Sequence, residues 1–494
     1  MYYNGRHYPS WLARFTNISG PSACFQPINL VKLKLSNCKN LEKLPTLGHY
    51  PNLKILEVEG LNNVRCIGKE FYVSDDDSSS DKNKPITLFP ALEKLSLWNM
   101  EEEWLEVEPT VTVFPSLKEL HIEGCCKLSS VPRMSRLSCL EALTITGNNA
   151  LSCIGDEQFP FPSSLKKLTI QRCYKLTTVP SVEGGISFLQ HLEVKLCERL
   201  CKIGQGLLTS TCLRVVVICD CPNLISIPVY GISESLVKLE LDHCRGLREV
   251  EGALSAFTRL ETLRIGNCLN LIPIPLPSLD FFSSLILLSL EGCHRLTSLP
   301  SGLRSCTCLQ FLVVDYCTDL ESIPEDLGRL HSLKELCILS CQNLKSVPED
   351  SLRCLTRLKT LKLGPFSQEL DEFPGLSSIH HLHSSLEILT LNGWEKLCSL
   401  PYQLQHLAAL KYLIISGFDG VTTLPEWLRN LSSLQDLTID FCRNLEHLPS
   451  KGATYRLSNI QHLSITNCPR LKGDRTYISN RFKIPANQIE VYEH

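Results

Sequence analysis

The 494-residue chain has no long apolar run, since no stretch approaches the roughly 18 uninterrupted apolar residues of a membrane-spanning helix. Residues 1–25 also lack the apolar segment of a secretory signal, so we expect none. Neither sign of charge is in large excess, because 49 Lys and Arg face 52 Asp and Glu. This balance disfavours a protein that binds nucleic acid or a membrane surface through basic charge.

Sequence motifs for catalysis and nucleotide binding are also missing. We find no G-x-x-x-x-G-K-[ST] phosphate loop, no G-x-G-x-x-G after a strand, no H-E-x-x-H and no G-x-S-x-G. Histidines and carboxylates are scattered, and none is spaced to pair a nucleophile with a base. We therefore predict no enzyme activity, no cofactor and no metal site, and leave open only a triad assembled across distant segments.

One repeated pattern runs through most of the chain. The pattern L-x-x-L-x-[LIV]-x-x-C-x-x-L-x-x-[LIV]-P begins at Leu30 and recurs from Leu117 and Leu165. The average step between units is about 25 residues, a period typical of leucine-rich repeats. The eighteen opening residues are Leu30, Leu53, Leu92, Leu117, Leu140, Leu165, Leu189, Leu213, Leu236, Leu260, Leu285, Leu309, Leu333, Leu358, Leu386, Leu410, Leu434 and Ile460.

This period predicts an α/β solenoid, a leucine-rich-repeat horseshoe of about 18 units. Each unit supplies one strand of a parallel concave sheet, followed by an irregular or 3-10 convex segment. We place the repeat array at residues 30–471. Residues 1–29 are interpreted as an N-terminal edge of the array, which could be truncated, and residues 472–494 as a C-terminal cap or tail. The long step after Leu53 contains an acidic, serine-rich run, which predicts a mobile loop over residues 73–87.

Cysteine is abundant, and its position explains why. Twelve of the 25 cysteines occupy the eighth position after an opening leucine, where the chain leaves the strand. Their spacing is that of the repeat and not that of metal ligands, so we predict buried packing residues. They are Cys38, Cys125, Cys173, Cys197, Cys221, Cys244, Cys268, Cys293, Cys317, Cys341, Cys442 and Cys468.

A histidine cluster in the step after Leu358 is the other candidate for metal chemistry. His380, His381 and His383 lie within four residues, but no cysteine or carboxylate stands beside them at ligand spacing. We therefore expect a polar loop on the convex side.

The repeats resemble those of plant intracellular disease-resistance proteins of the coiled-coil, nucleotide-binding, leucine-rich-repeat class. The residues that carry the resemblance are Tyr3-Asn4-Gly5, Pro9-Ser10-Trp11-Leu12, Asn29-Leu30-Val31-Lys32-Leu33, Leu44-Pro45-Thr46-Leu47-Gly48 and Ile67-Gly68-Lys69-Glu70-Phe71-Tyr72. Tyr8 departs from the family's usual phenylalanine. Extracellular plant receptors of the same fold carry asparagine where this chain has cysteine, which favours the intracellular class.

The resemblance implies a recognition module of plant innate immunity, cytoplasmic or shared between cytoplasm and nucleus. Its partners would be a pathogen effector or guarded host protein, and the nucleotide-binding NB-ARC domain of a full-length receptor. The nucleotide-site motifs of that domain have no match in these 494 residues. A free-standing leucine-rich-repeat scaffold, adaptor or substrate-recruiting subunit is the alternative. Whether the chain is part of a longer receptor or acts alone stays open.

A binding surface is predicted where apolar side chains occupy outward strand positions. Positions two, four and six after each opening leucine point away from the core, and most carry polar residues. In the middle of the chain several are apolar, which is typical of an interface unless a rim loop or an absent domain covers them. The candidate partner-binding residues are Leu287, Phe311, Val313, Asp315, Tyr316, Glu335, Leu339, Ile388, Tyr412 and Ile414.

Overall fold

The computed structural model describes residues 29–492, except 39, 45, 62–63, 65, 68, 73–86, 101–102, 105–110, 130, 132–135, 155–160, 181–185, 209, 230–234, 252–256, 272–278 and 474. The chain divides into two compact units, Met1–Phe257 and Thr258–His494. The predicted N-terminal edge lies outside the described residues apart from position 29, and so does the predicted acidic loop apart from position 87.

The first unit is built on parallel strands that pair in chain order and in register. They are Lys32–Ser36, Ile55–Glu59, Lys94–Trp98, Glu119–Glu123, Ala142–Thr146, Lys167–Gln171, His191–Lys195, Val215–Cys219 and Lys238–Asp242. A smaller parallel sheet contains Thr178–Val179, Lys202–Ile203, Ser226–Pro228 and Glu249–Glu251. Short pairs join Cys66–Ile67 to Glu103–Trp104 and Thr87–Leu88 to Thr112–Val113, and helical segments lie at Lys69–Tyr72 and Gln205–Leu207.

The second unit repeats this arrangement more regularly. Its parallel strands are Thr262–Gly266, Leu287–Glu291, Phe311–Asp315, Glu335–Leu339, Thr360–Gly364, Ile388–Asn392, Tyr412–Ser416, Asp436–Asp440, His462–Thr466 and Ile489–Tyr492. Between strands lie 3-10 segments at Leu303–Ser305, Glu325–Arg329, Ser351–Cys354, Ile379–Leu382, Tyr402–His406 and Glu426–Asn430. The α-helices Lys451–Thr454 and Arg475–Phe482 and a 3-10 turn, Ala486–Gln488, complete the unit.

Alternation along each strand places the core. In the strand Phe311–Asp315, Leu312 and Val314 are fully buried, whereas Phe311, Val313 and Asp315 are half-buried. Successive side chains of a strand point to opposite faces, so the two inward residues stack on those of the neighbouring strands. Every one of the eighteen predicted openings is followed two residues later by such a strand. The predicted parallel-sheet solenoid of repeats is therefore confirmed.

The repeat cysteines are packing residues, as predicted: all twelve are buried. In eleven of them the thiol lies 3.2 to 3.7 Å from the carbonyl oxygen two residues earlier, at the end of the strand. Asn148 occupies the same position in its unit, and its amide donates to the carbonyls of Ile122 and Thr146 at 3.1 Å. The position therefore selects a small buried donor, which adds a side-chain hydrogen bond to a strand-end carbonyl that also accepts a backbone N–H in most units.

The histidine segment differs from the sequence-based expectation, and the C-terminal tail has more regular structure than the sequence indicates. The histidine segment is not a loop, because residues 379–382 form a 3-10 turn anchored by the buried side chains of Ile379 and Leu382. The tail contributes a strand, Ile489–Tyr492, that pairs with the strand of the last predicted unit through Leu463 opposite Ile489. Ile478 and Phe482 of the preceding helix are also buried. The tail thus adds both to the sheet and to the core of the second unit.

Candidate protein-interaction surface

The candidate surface is the outward face of the sheet in the second unit. Because neighbouring strands pair in register, equivalent outward positions line up in rows across the sheet. The first row contains Leu287, Phe311, Glu335, Thr360, Ile388 and Tyr412, and the second contains Ser289, Val313, Cys337, Lys362, Thr390 and Ile414.

These rows divide the predicted patch into two apolar groups. The first apolar group consists of Leu287, Phe311 and Val313, with Leu287 and Phe311 directly opposite each other. The second apolar group consists of Ile388, Tyr412 and Ile414, with Ile388 opposite Tyr412. The side chains are half-buried by their neighbours in the sheet, and Tyr412 is 40% exposed. Each group therefore presents apolar surface on two adjacent strands.

A polar strip separates the two groups. Lys362 Nζ lies 3.0 Å from Glu335 Oε1, and the Cys337 thiol donates to the same oxygen at 3.3 Å. This hydrogen bond with Glu335 raises the pKa of Lys362, and burial raises the pKa of Cys337 to about 12. Two strands lie between Phe311 and Ile388. Three strand spacings place the two apolar groups about 14 Å apart.

Cys337 does not join the apolar surface, although its outward position and apolar character suggest that it should. It is only 4% exposed, because its short side chain lies between those of Val313 and Lys362 on the adjoining strands. The patch that the sequence suggests is therefore two groups and not one continuous surface.

The carboxyl ends of the strands hold the other predicted residues, Asp315, Tyr316 and Leu339. Tyr316 is 61% exposed and has a left-handed backbone with φ of 50°, while its N–H donates to the Leu339 carbonyl at 3.2 Å. Bulky residues rarely adopt this conformation. Asp315 Oδ1 is buried without a hydrogen-bond partner among the described residues, and burial raises the pKa of this carboxyl. The structure thus holds an exposed ring beside a poorly solvated acid.

The amino ends of the strands carry charges that neutralise each other. Glu387 lies between Lys359 and Lys411, with Nζ–O distances of 3.1 and 2.9 Å. Hydrogen bonds from these lysines, Lys411 first, lower the pKa of Glu387. This border offers a partner little uncompensated charge close to the second apolar group.

Sequence reasoning did not single out an aromatic cluster on the outward face of the first unit. The rings of Trp98 and His121 are 5.6 Å apart, and the Lys34 ammonium lies 5.6 Å from the Trp98 ring. The signal was available, because Trp98 stands six residues after Leu92 and His121 four residues after Leu117. This cluster therefore places half-buried aromatic surface on the outward face of the first unit as well.

Two further features concern the described part of the chain, namely metal-ligand clusters and membrane-spanning helices. No group of three or more His, Cys, Asp or Glu side chains there is arranged to hold a metal ion. The rings of His380 and His381 are tilted by 38° with centroids 4.1 Å apart, and His380 Nδ1 lies 3.3 Å from the Ser377 carbonyl. Within the same described residues no helix is both long and apolar enough to cross a bilayer.

Comparison with solved structures decides the fold. The leucine-rich-repeat protein LIC12759 of Leptospira interrogans is similar with a TM-score of 0.53, covering 94% of this chain and 96% of its own, at 19% sequence identity. The chain is a leucine-rich-repeat solenoid. At this identity the likeness concerns the fold alone.

Sequence comparisons connect the solenoid to plant disease resistance. Residues 1–61 and 402–468 match the family model of R13L1/DRL21 leucine-rich repeats. RPP13-like protein 1 of Arabidopsis thaliana, named as a disease-resistance protein, is 31% identical over 254 residues, covering 50% of this chain and 22% of the relative. Disease resistance protein RGA2 of Solanum bulbocastanum is 31% identical over 156 residues, covering 31% of this chain and 15% of the relative. The solenoid therefore spans about a fifth of the length of these relatives.

Proposed function

We propose that this solenoid is the protein-recognition part of a plant immune receptor of the coiled-coil, nucleotide-binding class. In this proposal it senses a pathogen effector, or a host protein that an effector modifies, and regulates a nucleotide-binding switch encoded outside these residues. It acts in the cytoplasm, or in cytoplasm and nucleus, without catalysis or cofactor. The similarity of half the chain to a disease-resistance protein is the observation that carries the proposal.

The outward face of the second unit is the surface we assign to the partner. Its first and second apolar groups contain half-buried aliphatic and aromatic side chains and the exposed ring of Tyr412, and Tyr316 is exposed directly after the strand Phe311–Asp315. Tyrosine and other aromatic residues are enriched at protein interfaces and frequently carry much of the binding energy. The ten residues from Leu287 to Ile414 that the sequence singles out remain the candidate set.

The spacing of the two apolar groups limits the shape of the partner. A protein that covers both must place two apolar contacts about 14 Å apart, since three strand spacings separate them. Between those contacts it meets the Glu335–Lys362 ion pair, which calls for polar atoms at the centre of its surface. A folded partner meets these requirements within an interface of standard size, about 800 Å² on each side.

The test uses the full chain as bait against pathogen effectors and host immune proteins. The surface variant Phe311→Thr/Tyr412→Thr removes one ring from each apolar group while keeping strand propensity. The control variant Arg264→Thr/His462→Thr removes similar bulk at outward positions outside the candidate set. We expect an effector or host immune protein that binds the wild type and the control with equal affinity, and the surface variant at least tenfold more weakly.

Two results would contradict different parts of the proposal. If the partner binds the surface variant with unchanged affinity, the recognition surface lies elsewhere, for example at the Trp98 cluster. Binding confined to proteins unrelated to defence would favour the alternative, a free-standing scaffold, adaptor or substrate-recruiting subunit. Co-expression of the bound effector with a receptor that carries these repeats separates the two functions, because only the immune role predicts effector-dependent cell death in leaves.

A further inference from the structure

A groove of about 680 Å³ opens along the 3-10 segments of the second unit, away from the outward face of its sheet. Three successive repeats contribute to its walls. The lining residues that concern us are His331, Ser332, Arg353, Thr356, Arg357 and His381. The groove therefore collects two guanidinium groups, two imidazoles and two hydroxyls.

The 3-10 segments Ser351–Cys354 and Ile379–Leu382 carry two of these residues, Arg353 and His381. In each repeat one side of the segment is anchored by a fully buried leucine, such as Leu327, Leu352 or Leu382. Arg353 and His381 are adjacent in sequence to the buried Leu352 and Leu382, and both are exposed. His331 is oriented by the Cys354 carbonyl, 3.2 Å from its Nδ1. Because a carbonyl only accepts, Nδ1 carries the proton and Nε2 is left for another partner.

The lining of the groove carries positive charge without an ion-pair partner in the lining itself. None of the lining residues is a carboxylate, and neither Arg353 nor Arg357 forms an ion pair within the described part of the chain. Partial desolvation and the positive charges of His380, Arg353 and His383 lower the pKa of His381, and the nearby Asp350 acts in the opposite direction. By contrast, lysines at the rim of the sheet are paired with glutamates. The groove is thus a local concentration of hydrogen-bond donors whose lining contains no carboxylate.

We propose that this groove binds a small molecule that carries several phosphate groups. The guanidinium fork of arginine matches two phosphate oxygens, and two such forks with neighbouring hydroxyl and imidazole donors suit a polyphosphate better than a single carboxylate. A volume of about 680 Å³ lies within the range of small-molecule sites. Binding to an anionic membrane surface would instead require a broad basic face on the protein. The site is distinct from the protein-recognition surface and does not depend on it.

The experiment titrates the full chain with tripolyphosphate by calorimetry in 0.1 M NaCl. The groove variant Arg353→Gln/Arg357→Gln removes both guanidinium groups. Its control, Arg304→Gln/Arg429→Gln, removes two exposed arginines from 3-10 segments of other repeats, with the same change in net charge. We expect micromolar binding by the wild type, a loss of at least tenfold in the groove variant and less than a twofold change in the control.

Three outcomes would overturn the proposal: no binding of tripolyphosphate by the wild type, unchanged affinity in the groove variant, or an equal loss in the control. The last would mean that net charge, not the groove, attracts the anion. Titration with a singly phosphorylated peptide tests the rival class of ligand, and tighter binding of that peptide than of tripolyphosphate would refute a small polyphosphate as the ligand. Thermal unfolding of both variants should match the wild type, because all four arginines are exposed.

Discussion

Replacing Leu312 by alanine should loosen the second unit far more than replacing the adjacent Phe311 by threonine. Leu312 is fully buried and lies directly between Leu288 and Leu336 of the neighbouring strands, whose exposure is also close to zero. Phe311 lies between Leu287 and Glu335 on the opposite, outward face. The two substitutions therefore test which side of the sheet is core.

The magnitudes follow from packing. A buried Leu→Ala substitution costs about 3 kcal/mol, because transfer energy is lost and a cavity remains. In a solenoid this loss weakens both interfaces of the repeat, since each unit contacts only its neighbours. Removing the Phe311 ring sacrifices cross-strand contacts worth about 1 kcal/mol or less. The expected difference between the two variants is therefore about 2 kcal/mol.

Native-state hydrogen exchange is the suitable assay, because a solenoid need not unfold in one step. Amides of the strands Leu287–Glu291, Phe311–Asp315 and Glu335–Leu339 report on the repeat and its two neighbours. In the Leu312→Ala variant their exchange should accelerate on the order of 100-fold, and in the Phe311→Thr variant by about fivefold or less. Equal acceleration in the two variants would refute the assignment of Phe311 to the outward face, and with it the proposed recognition surface.

Three further predictions concern single side chains. Tyr316→Asn should raise the thermal midpoint, because asparagine tolerates the left-handed backbone that Tyr316 adopts at φ of 50°. The same change should weaken partner binding, because it removes the exposed ring. A lower thermal midpoint would show that the ring contributes to packing. Asp315→Asn should stabilise the protein at pH 7 but not at pH 3. The pKa of Asp315 is higher in the folded than in the unfolded state, so the free energy of unfolding falls as pH rises from the unfolded pKa through the folded pKa. Urea midpoints at the two pH values test this, and equal gains at both would exclude the charge as the cause. Cys341→Ala should cost about 1 kcal/mol in urea unfolding, because it removes a buried thiol that donates to the Leu339 carbonyl and leaves that oxygen with the Tyr316 N–H alone. Cys341→Ser should recover part of that loss, and a serine variant no better than alanine would assign the position to packing alone.

Much of this architecture follows from the sequence because its causes are local and repeated. The step of about 25 residues locates eighteen strands, and alternation at period two assigns Leu312 to the core and Phe311 to the outward face. The repeat also explains why cysteine recurs at the strand end, where the thiol donates to the carbonyl two residues earlier. These features depend only on residues close in sequence or on the equivalent residues of the adjacent repeat.

Other features arise only when different segments meet. The tail has no opening leucine, and its strand Ile489–Tyr492 forms because the preceding strand offers an unpaired edge. Pairing between strands brings Glu335 and Lys362 together between the two apolar groups. Stacking of three repeats brings His331, Arg353 and His381 into one groove. The sequence by itself determined the repeat, its strands and their buried faces, because these follow from local periodicity. Only the tertiary structure decided which side chains of successive repeats meet, because that depends on register and stacking across the array.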